Sequence, residues 1–210
     1  PTLTKLIRMK IVAIGRNYAE HIAELNNERP TEPVVFLKPD TAVLRNNAPF
    51  YHPDFSNDIH FEVEILLKIS REGKHIEKKF AHKYYDEIGV GIDFTARDVQ
   101  QRCKEKGLPW EKAKAFNGSA PISEFVSKNK FDLNNLNFSL QQNGEVKQNG
   151  NTNMMLFSFD DIIEHISKYF TLKKGDIIFT GTPAGVGKTV IGDTLTAYIE
   201  NEKMLEVEIK

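Results

Sequence analysis

Residues Ile59 to Ile69, reading Ile-His-Phe-Glu-Val-Glu-Ile-Leu-Leu-Lys-Ile, constrain this chain more than any other stretch. Their β-branched and aromatic content calls for a strand, and Gly89-Val90-Gly91-Ile92-Asp93-Phe94 calls for another. Both runs carry carboxylates among apolar residues. In an extended chain residues i and i+2 point to the same side, so Glu62 and Glu64 share one face while Phe61, Val63 and Ile65 fill the other. Asp93 shares its face with Gly89 and Gly91, whose missing side chains leave room. If the two strands adjoin, three oxygen ligands converge on an open hole that suits a hard divalent cation, Mg²⁺ or Mn²⁺. The competing reading of the same spacing is the wet face of an amphipathic strand, with Asp93 at a strand end.

The chain has 210 residues, 40% of them hydrophobic and 27% charged, enough to bury a sizeable core as one domain without disulfides. Its formal net charge of -1, with basic residues scattered among acidic ones, gives no electrostatic case for nucleic acid or an anionic membrane and favours a small-molecule partner. No apolar run is long enough to span a bilayer and no leader pattern opens the chain, so a cytoplasmic protein is expected. Cys103, the single cysteine, has no partner for a disulfide or a zinc site and reads as structural.

Short strands are expected at Lys10–Ile14, Val34–Lys38, Ile59–Ile69, Ile88–Phe94, Asn137–Gln142, Ile177–Thr180 and Thr194–Ile209. Asn143-Gly144 signals a tight hairpin turn, and the last strand region folds back around Glu200 to Lys203. Helices are expected at Ala96–Lys106, stopped by Gly107, and at Phe159–Phe170, capped by Ser158. The result is a β-rich α+β domain over residues 9–210, with Pro1 to Arg8 as an extension of little functional weight. The polar, proline-punctuated segment Ala19 to Pro33 reads as a mobile loop near a functional site.

The segment Asp176 to Thr189 imitates a phosphate-binding loop, but Gly181 stands one position too early and no helix start follows. Its glycines and the Thr182 hydroxyl offer groups that could hold an oxygen-rich small ligand. His21 and Glu24 are three residues apart, so a helical turn would let the carboxylate orient the imidazole as a base, or leave both as a surface pair. Lys112 and Lys114 alternate in a strand-like segment from Trp110 to Phe116. A lysine there could hold a substrate carboxylate or steady an enolate, or simply be solvated.

Gly15-Arg16-Asn17-Tyr18 with His21, Phe36-Leu37-Lys38-Pro39, Phe61-Glu62-Val63-Glu64, Gly91 to Asp98, Lys114-Ala115-Phe116, Gly150-Asn151-Thr152 and Thr180 to Gly187 together resemble the fumarylacetoacetate hydrolase family, in order and in register from Met9 almost to the end. The chain is most similar to its short acylpyruvate hydrolase and oxaloacetate decarboxylase branch. The resemblance implies a mixed β-sandwich roll, a homodimer, and Mg²⁺ or Mn²⁺ on Glu62, Glu64 and Asp93. It implies His21 and Glu24 as a water-activating pair on a lid, Lys114 as catalytic, and Arg16, Gln100 and Thr182 as substrate contacts. Asn117 departs from the aspartate the family commonly has after Lys-x-Phe.

The function expected on these grounds is metal-dependent cleavage of the carbon–carbon bond of acylpyruvates, such as acetylpyruvate or fumarylpyruvate, to pyruvate and a carboxylic acid. The alternatives are decarboxylation of oxaloacetate, and isomerisation or decarboxylation of 2-hydroxy-dienedioates from aromatic breakdown. A glycosidase would also use paired carboxylates but leaves Lys114 and the third acid unexplained. A non-catalytic metal-binding module leaves His21 and Glu24 unexplained.

Overall fold

The computed structural model describes residues 9–25 and 28–210. The expected extension, Pro1 to Arg8, lies outside the described residues, as do Asn26 and Asn27 of the expected loop.

Two larger sheets face each other across one apolar core. The first has six strands in the order Val34–Lys38, Ile11–Gly15, Ile177–Phe179, Val63–Ile69, Tyr85–Ile92 and Val126–Ser127, antiparallel except where Ile11–Gly15 runs parallel to Ile177–Phe179. The second is antiparallel, in the order Glu145–Asn151, Asn137–Gln142, Thr194–Ile199 and Glu202–Glu208. Val63, Ile65, Leu67 and Ile69 pack with Phe138, Leu140, Leu195, Ala197 and Val207 from the second sheet. Leu66 points the other way, into a smaller cluster with Ile11, Ala13, Ile122, Ile177 and Phe179. The strand Val63–Ile69 is therefore covered on both sides, which explains a run of apolar residues without strict alternation.

Local signals act where the sequence places them. Asn143 and Gly144 both have positive φ, 54° and 83°, as a two-residue turn with the sheet's twist requires. The helix Phe159–Tyr169 starts on a capping box in which Ser158 Oγ accepts from Asp161 N at 3.2 Å and the Asp161 carboxylate accepts from Ser158 N at 3.1 Å. The helix Arg97–Lys106 ends at Gly107, whose φ of 61° is the left-handed value that favours glycine. Cys103 is buried in that helix, consistent with its expected structural place.

Three expectations are corrected. The strand expected over Ile59–Ile69 is broken at Glu62: Ile59–Phe61 belongs to a small sheet with Gly187–Lys188 and Thr95–Ala96, and only Val63–Ile69 joins the six-stranded sheet. The break arises because Val63 N donates to the Gln148 side chain at 2.8 Å instead of to a neighbouring strand. The segment around Lys114 is a short helix, Glu111–Lys114, so Lys112 and Lys114 diverge, the first exposed and the second buried. The space at Gly89 and Gly91 is not left for an ion. A Cβ at Gly91 would meet the Leu66 side chain at 2.9 Å and Pro121 O at 3.0 Å, and one at Gly89 would meet Ser123 Oγ at 2.9 Å. These glycines admit the chain from Pro121 to Ser123 across the sheet.

Candidate metal centre and active-site cleft

Glu62 sits at the sheet-to-sheet junction and Glu64 two residues into the six-stranded sheet, paired with Gly91. Asp93 follows the end of Tyr85–Ile92, and its N–H donates to Glu62 O at 2.8 Å, which fixes these two residues side by side. All three carboxylates are buried, at 4%, 1% and 1% exposure, so the wet-face reading does not describe them. One oxygen from each can lie within 4.8 Å of the others.

Burying three carboxylates costs several kcal/mol each unless cations accompany them. Lys114 Nζ donates to Glu62 Oε2 at 2.8 Å, Asp93 Oδ2 at 2.7 Å and Thr95 Oγ1 at 2.6 Å, which uses all three ammonium hydrogens. Arg97 Nη2 donates to Glu62 Oε1 at 2.6 Å and Nη1 to Gln100 Oε1 at 2.8 Å. Lys38 Nζ lies 2.7 Å from Asp93 Oδ1 and also contacts the Lys114 carbonyl and Ser119.

The resulting charge states diverge. Burial works against ionisation of Glu62, but Lys114 and Arg97 outweigh it and hold its carboxyl well below the usual range. For Glu64, burial and then the neighbouring Asp93 and Glu62 charges push the carboxyl well up, and the N–H of Gly181, which donates to Glu64 Oε2 at 2.7 Å, offsets only part of this. Burial opposes the charge on Lys114, yet Asp93 and Glu62 raise its pKa; at Lys38 burial prevails over Asp93 and the pKa is lowered.

These residues fit a divalent cation. The donors are all carboxylate oxygens, the set preferred by Mg²⁺ and Mn²⁺. Among the described residues Glu64 forms no ion pair, so it is the ligand whose anionic form a cation would stabilise most.

Beside the carboxylates opens a cleft lined by Arg16, His21, Gln100, Lys104, Lys114 and Thr182, with Phe36 and Trp110 as its apolar wall. Arg16 has a φ of 60°, uncommon for a residue with a side chain. The next residue, Asn17, holds that turn: it is fully buried, donates to Thr180 O at 2.8 Å and Phe157 O at 3.0 Å, and accepts from Phe157 N at 2.8 Å. His21 and Glu24 lie on the helix Ala19–Glu24, with His21 Nδ1 3.1 Å from Glu24 Oε2. If Nδ1 carries the proton, Nε2 keeps its lone pair as a base. Glu24 does not line the cleft; it stands behind His21, and its Oε1 accepts from Gly185 N at 3.1 Å.

The glycines after Thr180 thus serve the protein's own carboxylates. Gly181 N–H is taken by Glu64 and Gly185 N–H by Glu24, which corrects the expectation that both were available to a ligand. The other expected residues meet at one place. Sequence reasoning missed Lys38, Arg97 and Gln148, and it assigned the two glycine N–H groups to a ligand instead of to Glu64 and Glu24. Lys38 had a signal, a lysine ending an apolar strand just before proline; Arg97 and Gln148 had none, since their partners lie 35 and 85 residues away.

The profile of the family described as fumarylacetoacetate (FAA) hydrolase C-terminal matches residues 10–210. The chain belongs to this family. It is 41% identical over 201 residues to the mitochondrial oxaloacetate tautomerase of Bos taurus, covering 95% of this chain and 91% of that protein. It is 44% identical over 192 residues to the mitochondrial oxaloacetate decarboxylase of Dictyostelium discoideum, covering 90% and 88%. The crystal structure of fumarylpyruvate hydrolase from Pseudomonas aeruginosa in complex with Mn²⁺ and pyruvate superposes with a TM-score of 0.91 at 32% identity, covering 96% of this chain and 89% of that one. The mixed β-roll expected for the family is the fold observed. Among the described residues no helix is long and apolar enough to cross a membrane.

Proposed function

We propose that this family member is a Mg²⁺- or Mn²⁺-dependent enzyme acting on oxaloacetate, interconverting its keto and enol forms and decarboxylating the keto form to the enolate of pyruvate at the same site. The observation that carries this reading is the charge of the cleft. Lys114 and Arg97 are committed to the triad, whereas Arg16 lines the cleft with no carboxylate partner among the described residues. A 2-oxo acid bound at the triad with a second carboxylate at its far end would gain from Arg16; the methyl end of acetylpyruvate would gain nothing. The relatives named for oxaloacetate agree with this choice. Hydrolysis of fumarylpyruvate, which also ends in a carboxylate, is the second reading and matches the activity named for the Pseudomonas aeruginosa relative.

A divalent cation on Glu62, Glu64 and Asp93 would supply a Lewis acid that polarises the 2-oxo group. The chain's own residues would do the rest. Lys114 and Lys38 keep the triad compact by opposing its mutual repulsion. His21, with Nδ1 held by Glu24, takes a proton from C3 of oxaloacetate at Nε2; the C–H electron pair becomes the C2=C3 double bond and O2 takes a proton to complete the enol. In decarboxylation the C3–C4 bond breaks, carbon dioxide leaves, and the electron pair stays in the three-carbon enolate until a proton reaches C3 to give pyruvate. Phe36 and Trp110 limit water on the apolar side.

The test is kcat/KM for oxaloacetate, fumarylpyruvate and acetylpyruvate side by side, with Mn²⁺ and with a chelator. Oxaloacetate should be turned over best, and chelation should abolish all activity. Faster turnover of acetylpyruvate would overturn the reading. Arg16→Gln should lower kcat/KM for oxaloacetate roughly 10- to 100-fold, the equivalent of a charge-assisted hydrogen bond at about 1.5–3 kcal/mol, and leave acetylpyruvate nearly unchanged. The homodimer implied by the resemblance belongs to the same proposal, and light scattering on the purified protein checks it.

A further inference from the structure

Gln148 is fully buried in the second sheet and does not itself line the cleft. Its amide has no spare group. Oε1 accepts from Val63 N at 2.8 Å; Nε2 donates to Thr182 Oγ1 at 2.8 Å and to Pro183 O at 2.9 Å. Val63 is the residue between Glu62 and Glu64, and Thr182 lines the cleft.

A bulge directs this side chain inward. Leu140 pairs with Gln148 but Gln141 pairs with Val146, so Lys147 is the extra residue of its strand. Bulges bend a strand and re-aim its side chains. The Lys147 carbonyl that the bulge turns out sits against Gly185: a Cβ there would approach it to 2.1 Å, and Gly185 has a φ of 96°, so only glycine fits. Gly185 N–H in turn holds Glu24. One irregularity in the hairpin Asn137–Asn151 therefore reaches the carboxylate junction through Gln148 and the His21–Glu24 pair through Gly185.

We propose that Gln148 is a positioning residue of the active site, setting the spacing between the Glu62–Glu64 junction and the Thr182 loop, and that it acts on both cation binding and substrate binding without touching either. The substrate half of this inference rests on the oxaloacetate reading; the cation half does not.

Two variants separate the two hydrogen-bonded ends. Gln148→Met keeps length and removes all three bonds. Gln148→Glu keeps an acceptor for Val63 N–H but replaces the donors to Thr182 and Pro183. Calorimetry of Mn²⁺ binding, amide exchange at Val63 and Gly185, thermal unfolding and steady-state kinetics are measured on both. Gln148→Met should bind Mn²⁺ roughly 10–100-fold more weakly, the usual consequence of losing an outer partner of a metal ligand, with faster exchange at Val63. Gln148→Glu should bind Mn²⁺ at least as tightly as the wild type while its KM for oxaloacetate rises about tenfold at nearly constant kcat, again as expected for an outer-partner loss. If Gln148→Met fails to fold, the KM of Gln148→Glu decides. A folded Gln148→Met with a lower Tm but unchanged Mn²⁺ affinity, or a Gln148→Glu with unchanged KM, would leave Gln148 a structural residue only. A wild type inactive on oxaloacetate would instead sink the functional reading, and the Mn²⁺ and exchange results would still judge the cation half.

Discussion

Glu64→Gln should raise the melting temperature of the metal-free protein and remove most of the rise expected from Mn²⁺ in the wild type. Both effects have one cause. Burial and the charges of Asp93 and Glu62 push the Glu64 carboxyl well above its usual value of 4.5. Between the unfolded and the folded pKa the native state binds one more proton than the unfolded state, so stability falls as pH rises through that window; below 4.5 the penalty is absent. Glutamine keeps the shape and an oxygen for Gly181 N–H but cannot ionise. At neutral pH, relief of about 1 kcal/mol, the low end of what removing buried charge yields, corresponds to roughly 2–4 °C for a chain of this size. The advantage should shrink toward pH 4.5. Mn²⁺ at a hundred times its dissociation constant stabilises the wild type by about 2.7 kcal/mol; a hundredfold loss of affinity reduces that to roughly 0.4 kcal/mol. Calorimetric scans in chelator and in Mn²⁺, at two pH values, measure all of this. A variant that keeps the full Mn²⁺ shift would remove Glu64 from the metal site.

The triad was readable because strand periodicity puts Glu62 and Glu64 on one side regardless of what the strand packs against, and the Asn143-Gly144 turn and the Ser158 cap were readable because their chemistry is local. His21 and Glu24 were readable as a pair for the same reason, since one helical turn joins them. What escaped depends on distant partners. The break at Glu62 is made by Gln148, and no pattern within Ile59–Ile69 announces it. Alternation, the only signal in Trp110 to Phe116, suggests a strand for Lys114, whereas the helix Glu111–Lys114 is fixed by its packing against Val34–Lys38 and Arg97–Lys106. The glycines between Thr180 and Gly187 were recognised as special, but their role, holding Glu64 and Glu24 by backbone N–H groups, depends on which acids the fold brings to them.

His21→Ala divides the chemistry of the site. Proton removal from C3 of oxaloacetate and activation of water against an acylpyruvate both need a base, and loss of a positioned base typically costs 10²–10⁴-fold. Keto–enol exchange and fumarylpyruvate hydrolysis should therefore fall by roughly that factor. Decarboxylation asks for an electron sink and a proton afterwards, which water can deliver, so it should fall less. The substitution should leave the fold intact, because among the described residues the imidazole's polar partner is Glu24, whose side chain is 32% exposed and retains Gly185 N–H. Glu24→Gln should follow the same ordering more weakly, since it keeps the length but not the charge that steadies an imidazolium. The decisive comparison is kcat/KM for exchange, decarboxylation and hydrolysis in wild type, His21→Ala, Glu24→Gln and Glu64→Gln. Loss of all three activities together is expected only of Glu64→Gln. Undiminished keto–enol exchange in His21→Ala would show that the base is another group.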